Sequence, residues 1–315
     1  MMTNFVVGST LERLNMAGSY LPSFPSPFPS IELDMFPGMS RLKELILRRS
    51  SIKTMAENSL LSLQNLRYLN LAENQLREVP KALKSLSGLL HLDISYQCTI
   101  IPCQLKEETF QLTDTSFHGM NSLRRLDIRG VLNSLTSSSL ASLAGLEELD
   151  ISSFLITSIE GPAFQHTPGL RSLTCSQCWV LETIPLQAWH NLAGLHILDL
   201  SYSPKAIVPA SNTTTALKLL HFFGGSFPDL RVLNLTCSLV SDQTLCDEYL
   251  YQYSPPLDPT LLISMARLEV LHLGKNGLTS WTERLFVHNP ALKMLSIEQN
   301  KFRSLTPAML EDFKG

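Results

Sequence analysis

The side chains of this chain that could do chemistry are few and scattered. Its 315 residues include six cysteines and eight histidines. No Gly-rich phosphate loop follows an apolar run, and neither a His-x-x-x-His metal pair nor a Gly-x-Ser-x-Gly nucleophile elbow occurs. The chain therefore reads as a non-enzyme, with no catalytic residue, metal ligand or cofactor assigned. Its cysteines suggest staples instead. Cys98 and Cys103 enclose four residues, and Cys237 and Cys246 bracket a longer stretch; each pair could close a loop in an oxidising compartment. Two sequons, Asn212-Thr213-Thr214 and Asn234-Leu235-Thr236, would carry glycan in such a compartment. Together these point to an extracellular or lumenal chain. Tyr249, Tyr251 and Tyr253 alternate within a polar stretch and are residues of the kind that anchor interfaces.

The elements that must position these groups are set by a recurring pattern. Leu66-Arg67-Tyr68-Leu69-Asn70-Leu71-Ala72-Glu73-Asn74-Gln75-Leu76 spells L-x-x-L-x-L-x-x-N-x-L, the leucine-rich-repeat consensus. Numbering the first leucine of each repeat as position 1, repeats start at Leu42, Leu66, Leu89, Leu123, Leu146, Leu170, Leu195, Leu230, Leu268 and Leu292, with a weaker one at Leu11. Six of the intervals are 23 to 25 residues, and four are stretched to between 31 and 38 by insertions. Positions 4 and 6 alternate with polar residues, as in a strand with one buried face. No repeat can bury its own leucines, so parallel strands must stack to share one apolar column. Position 9 carries Asn74, Asn276 and Asn300, inward amides suited to backbone groups of adjacent turns. A large apolar residue further on, at Leu60, Phe164, Trp189, Phe286 and Leu310, plugs the opposite side. Cys175 and Cys178 fall at positions 6 and 9 and read as small buried residues rather than a zinc or redox pair. The predicted fold is an α/β solenoid, a leucine-rich-repeat horseshoe of about eleven repeats over 1–315. Its parallel concave sheet is about 50 Å along the arc, and its convex side is irregular or short-helical.

Position 5 points outward. It reads Ile46, Asn70, Asp93, Asp127, Asp150, Thr174, Asp199, Asn234, His272 and Ser296. Four aspartates line this stripe, flanked by Arg67, Arg124, Arg125, Arg129 and Arg171. Either cross-strand Asp/Arg pairs neutralise it, or it is a polar docking strip with Asp93, Asp127, Asp150, Asp199, Arg124 and Arg125 as ligand contacts. His91 and His272 share this face. The insertions add a Pro-rich segment over 21–29, which cannot be helix or central strand, and a short apolar helix candidate over 217–223.

Net charge is −3 and pI about 6.2, which argues against a nucleic-acid binder driven by phosphate neutralisation. No run of 18 apolar residues spans a membrane, and residues 1–8 lack the basic and apolar regions of a signal peptide. The ends lack capping repeats, so a fragment is expected, without signal peptide, membrane helix or signalling domain.

With these repeats, a phenylalanine near position 20 as in Leu268 to Phe286, and long irregular insertions between regular units, residues 40–315 resemble a Toll-like receptor ectodomain. The resemblance implies a pattern-recognition receptor in innate immunity that binds a protein or a microbial or endogenous polymer, dimerises with itself or a related chain, and so brings cytoplasmic signalling domains together. It also implies a place on the extracellular or lumenal face of a plasma or endosomal membrane. The alternatives are a secreted or adhesion interaction protein and a cytoplasmic scaffold or adaptor.

Overall fold

The computed structural model describes residues 10–18, 30–31, 36–97, 110, 112–181, 184–204, 227–239, 257 and 262–313. Fifteen short strands lie within them. They are β1 (Arg13–Asn15), β2 (Ser30–Ile31), β3 (Glu44–Ile46), β4 (Thr54–Met55), β5 (Tyr68–Asn70), β6 (His91–Asp93), β7 (Arg125–Asp127), β8 (Ser134–Leu135), β9 (Glu148–Asp150), β10 (Ser158–Ile159), β11 (Ser172–Thr174), β12 (Ile197–Asp199), β13 (Val232–Asn234), β14 (Val270–His272) and β15 (Met294–Ser296). Eleven are the repeat strands, one from each repeat including the weak one at Leu11. Each occupies positions 3 to 5, so the leucine spacing gave both the number of strands and their register. The chain is a leucine-rich-repeat solenoid.

Two compact units divide it. The first, 1–132 with 137–150, contains β1, β3, β5, β6, β7 and β9 in parallel order, and Ile46, Asn70, Asp93, Asp127 and Asp150 are cross-strand partners. Beside them β2 pairs with β4. The second unit, 133–136 with 151–315, contains β11 to β15 in order, with Thr174, Asp199, Asn234, His272 and Ser296 in register, and β8 paired with β10.

The core is the leucine column. Leu42, Leu89, Leu123, Leu146 and Leu230 at position 1, and Leu45, Leu69, Leu126, Leu198 and Leu271 at position 4, have no exposed surface. The far wall is plugged by Leu60, Phe164, Trp189 and Phe286 as predicted. Leu310 is a correction, because it is 38% exposed and its neighbour Met309 takes the buried place. There the Met309 carbonyl also accepts the indole N–H of Trp281 at 3.1 Å. The five-residue helix Leu186–His190 carries Trp189 inward against Phe227.

A polar ladder runs through many of the turns that follow the position 3–5 strands. Asn74 Oδ1 accepts the backbone N–H of Ser50 and Ile52 at 3.0 Å each, and its Nδ2 donates to the Leu47 and Leu71 carbonyls. Asn276 and Asn300 do the same one repeat apart. Gln97, Ser203 and Ser238 occupy position 9 elsewhere and make equivalent bonds. Since nearly every buried polar backbone group needs a partner, these side chains fix the stacking distance. Position 8, just before, is left-handed in ten of eleven repeats: Arg49, Glu73, Tyr96, Gln177, Tyr202, Cys237, Lys275 and Gln299 have φ of 51° to 58°, and Gly18 and Gly130 share the region.

Candidate ligand-binding face

Apart from Ile46, the outward positions of the first unit are polar. Asp93 Oδ1 accepts the backbone N–H of Ser95 at 3.0 Å and its hydroxyl at 2.7 Å, while Asn70 Nδ2 donates to Oδ2. Asp127 Oδ1 accepts the N–H of Arg129, and Asn70 Oδ1 that of Ala72. These are Asx turns, in which a short polar side chain holds the backbone two residues on. They recur in the second unit, where Asp199 holds Ser201 and Asn234 holds Thr236. Much of the aspartate stripe therefore has an internal task, turning the chain out of each strand. Burial pushes the Asp93 carboxyl above its ordinary range, and the charge of neighbouring Asp127 adds to this, against the Ser95 hydrogen bonds that lower it.

The arginines are distributed in three ways. Arg129 grips Asp127 at 2.6 Å, approaches Asp150 at 3.5 Å and lies over the ring of Tyr96, and Asp127 holds its guanidinium firmly protonated. Arg124 and Arg125 pair with Glu147 and Glu148 instead of aspartates. Arg67, Arg124 and Arg171, all at position 2, donate Nη1 to the carbonyls of Gly88, Gly145 and Gly194, the residue preceding the next repeat. A side chain at Gly88 would place its Cβ only 1.9 Å from the Arg67 guanidinium, so glycine is what leaves room for this grip.

The second unit presents a different surface. At position 3 the first unit has Glu44, Tyr68, His91, Arg125 and Glu148. The second has Ser172, then Ile197, Val232, Val270 and Met294 in adjacent register. Ile197 is 41% exposed and Met294 49%, with the two valines between them half-buried. Four aliphatic side chains thus form an outward stripe about 14 Å long at the usual strand spacing. The repeat spacing places these four residues at position 3 of adjacent repeats, two residues before the aspartate-bearing position 5, so they were legible in the sequence. Beyond the strand ends, Trp179 and Tyr202 pack at 5.9 Å between centroids, and Lys275 Nζ sits 5.4 Å from the Tyr202 ring centre.

Cys175 and Cys178 are buried at positions 6 and 9, as the register requires, but they are joined in a disulfide, which corrects the reading of them as simple buried thiols. Cys237 is also disulfide-bonded, to a residue outside those described. Asn234 is half-buried, and its amide is engaged with Asp199 and Thr236. Tyr249, Tyr251, Tyr253, Asn212, Cys98, Cys103, Cys246, the Pro-rich segment and the 217–223 helix candidate lie outside the described residues. Among the described residues no cluster of His, Cys, Asp and Glu could hold a metal, and no helix is long and apolar enough to cross a membrane.

Two family models match in tandem, Leucine rich repeat over 28–76 and 40–100 and BspA type Leucine rich repeat region over 91–209. Toll-like receptor 9 of Felis catus is 24% identical over 94% of this chain and 27% of its own length, and that of Homo sapiens is 30% identical over 54% of this chain and 17% of its own. The chain is a leucine-rich-repeat protein resembling a Toll-like receptor ectodomain. It spans about a quarter of the feline receptor's length. This leucine-rich-repeat chain also shares its fold with two solved structures. One is the Toll–Spatzle complex of Drosophila, with TM-score 0.67 at 21% identity over 89% of this chain and 32% of that one. The other is TLR13 in the TLR13–ssRNA13 complex, with TM-score 0.63 at 19% identity over 97% and 42%. Fibromodulin of Oryctolagus cuniculus is 33% identical over 35% of the chain and 84% of its own length.

Proposed function

We propose that the chain acts as the ligand-binding part of a pattern-recognition receptor of the Toll-like type, on the extracellular or lumenal side of a plasma or endosomal membrane, and signals in innate immunity through ligand-induced dimerisation. The observation that carries this reading is the aliphatic stripe Ile197, Val232, Val270 and Met294 on the outward face. An exposed row of large apolar residues marks an interaction site, and at net charge −3 it suits a protein ligand better than a polyanion. Arg124 and Arg125, with Asp93, Asp127, Asp150 and Asp199, supply polar contacts on the same sheet surface of their own units. The disulfides of Cys175, Cys178 and Cys237 support an oxidising compartment.

The test replaces the extracellular part of a dimerisation-read reporter receptor with this chain and challenges the cells with bacterial, fungal and viral fractions. Activation by at least one fraction, lost in Ile197→Glu/Val270→Glu, is expected. Silence with every fraction, or activation untouched by the double substitution, overturns the proposal. The disulfides also suit a second reading, a secreted interaction protein, which would bind its partner through the same stripe without driving dimerisation.

A further inference from the structure

Five side chains from three consecutive repeats of the first unit, Glu12, Arg41, Lys43, Asn65 and Arg67, line a cleft of about 270 Å³ at the edge where the strands begin. Glu12, Lys43 and Arg67 each occupy position 2, and Arg41 and Asn65 each precede the first leucine of a repeat, so the stacking brings them together. Three are cations and one is an anion. The anion is already matched, with Lys43 Nζ 2.8 Å from Glu12 Oε1, and the nearby Arg13 is matched by Glu44 at 3.0 Å. Arg41 has no ion-pair partner among the described residues. Arg67 commits Nη1 to the Gly88 carbonyl at 2.8 Å and, at 3.4 Å, to that of Leu66. The rest of its five-donor fork meets no acceptor among the described residues. Asn65 donates to the Ser40 carbonyl at 2.8 Å, which fixes that wall.

The field in the cleft stays cationic after Glu12 is counted. Its carboxyl is held below the ordinary range by the Lys43 hydrogen bond and charge, and then by Arg13 and Arg41. Two planar guanidiniums with open donors are suited to an oxygen-bearing anion, because each can engage two oxygens at once. The volume is at the small end for ligand sites, which fits a charged group and the atoms bearing it.

We propose that this cleft seats a tetrahedral oxyanion, a phosphate or sulfate ester group carried by a ligand, between Arg41 and Arg67, with Lys43 as a third and partly neutralised charge. It lies in the first unit and does not depend on the aliphatic stripe of the second.

Side-chain NMR of the guanidinium N–H groups in the whole chain tests this directly, with inorganic phosphate, inorganic sulfate, glucose 6-phosphate and glucose 6-sulfate as probes. Saturable shifts at Arg41 and Arg67 are expected. Arg171, which makes the same glycine-carbonyl contact outside the cleft, should stay still. Arg41→Ala should weaken binding about tenfold, the loss of one charge-assisted contact, and Arg41→Lys should restore part of it. The tighter of the two sugar esters identifies the source of the group. Linear, non-saturating shifts, equal shifts at Arg171, or an Arg41→Ala variant that binds as well as the parent overturn the proposal. Because Arg41 is exposed and outside the core, loss of binding in a chain with unchanged thermal unfolding reports the seat and not the fold.

Discussion

A side chain in this solenoid is defined by its position in the repeat more than by its type. Asn74 shows the consequence for stability. It is fully buried and bonded through both ends of its amide, so Asn74→Ala should cost about 1–3 kcal/mol. Asn58→Ala, at an exposed turn residue, should cost far less. Denaturant midpoints of the two variants check this, and equal values would remove Asn74 from the ladder. Asp93 gives a pH dependence of definite sign. Its folded carboxyl titrates above its unfolded one, so between those two values the folded state binds the extra proton and stability falls as pH rises. Asp93→Asn keeps an acceptor for Ser95 and removes the buried charge. The variant should match or exceed the parent in stability at pH 7, and that advantage should shrink as pH falls through the raised value. A growing advantage at low pH would contradict it. The asparagines at position 9 were legible in the sequence because the consensus names them. Gln97, Ser203 and Ser238 were not, since a longer amide or a hydroxyl does the same job by a geometry no letter reveals. The Arg67–Gly88 grip was hidden for another reason. It joins residues 21 apart through space that only stacking creates.

Each strand at positions 3 to 5 is three residues long, too short to be stable without a neighbour. Leu149, 2% exposed at position 4 of β9 and in register with Leu126 of β7, is part of the buried column, and Leu149→Ala should cost about 2–5 kcal/mol. A denaturation midpoint unchanged within error would sink the assigned register. The turn after the strand makes the opposite case. Gln177 has φ of 58°, a region that disfavours any residue with a Cβ by about 1–2 kcal/mol. Gln177→Gly relieves that strain, offset by the larger backbone entropy that glycine loses on folding, so a net gain of several tenths of a kcal/mol to about 1 kcal/mol is expected from thermal unfolding. A loss would show that the side chain stabilises the turn. The strands and their register were legible because leucine spacing encodes them directly. The left-handed column was not, because its occupants, among them arginine, glutamate, tyrosine and lysine, share no chemistry. Only the return of the chain toward the core demands that conformation.

At the scale of the molecule, the compartment divides the readings of function. Secretory expression should give glycan at Asn212 and a bridge from Cys237 to Cys246. Asn234 should stay bare, because its amide nitrogen is bonded to Asp199 within the sheet face. Peptide mapping without reduction, before and after glycosidase, reads all three, and full glycan at Asn234 would mean the Asp199–Asn234 contact opens in the cell. The ladder at position 9 has one further consequence. It is directional: Asn74 serves the turn at Ser50, Gln97 the one at Leu76, Ser203 the one at Cys178, and Asn300 the one at Asn276. In these four cases the turn is completed by the repeat that follows it, whereas the Ser176 N–H is taken by the Ser152 hydroxyl of the repeat before. On a ribosome, which releases the chain from its amino end, the newest turn waits for about 24 further residues. That is roughly one to five seconds at ordinary elongation rates. Along those turns the chain can thus be closed behind the exit tunnel as it is made.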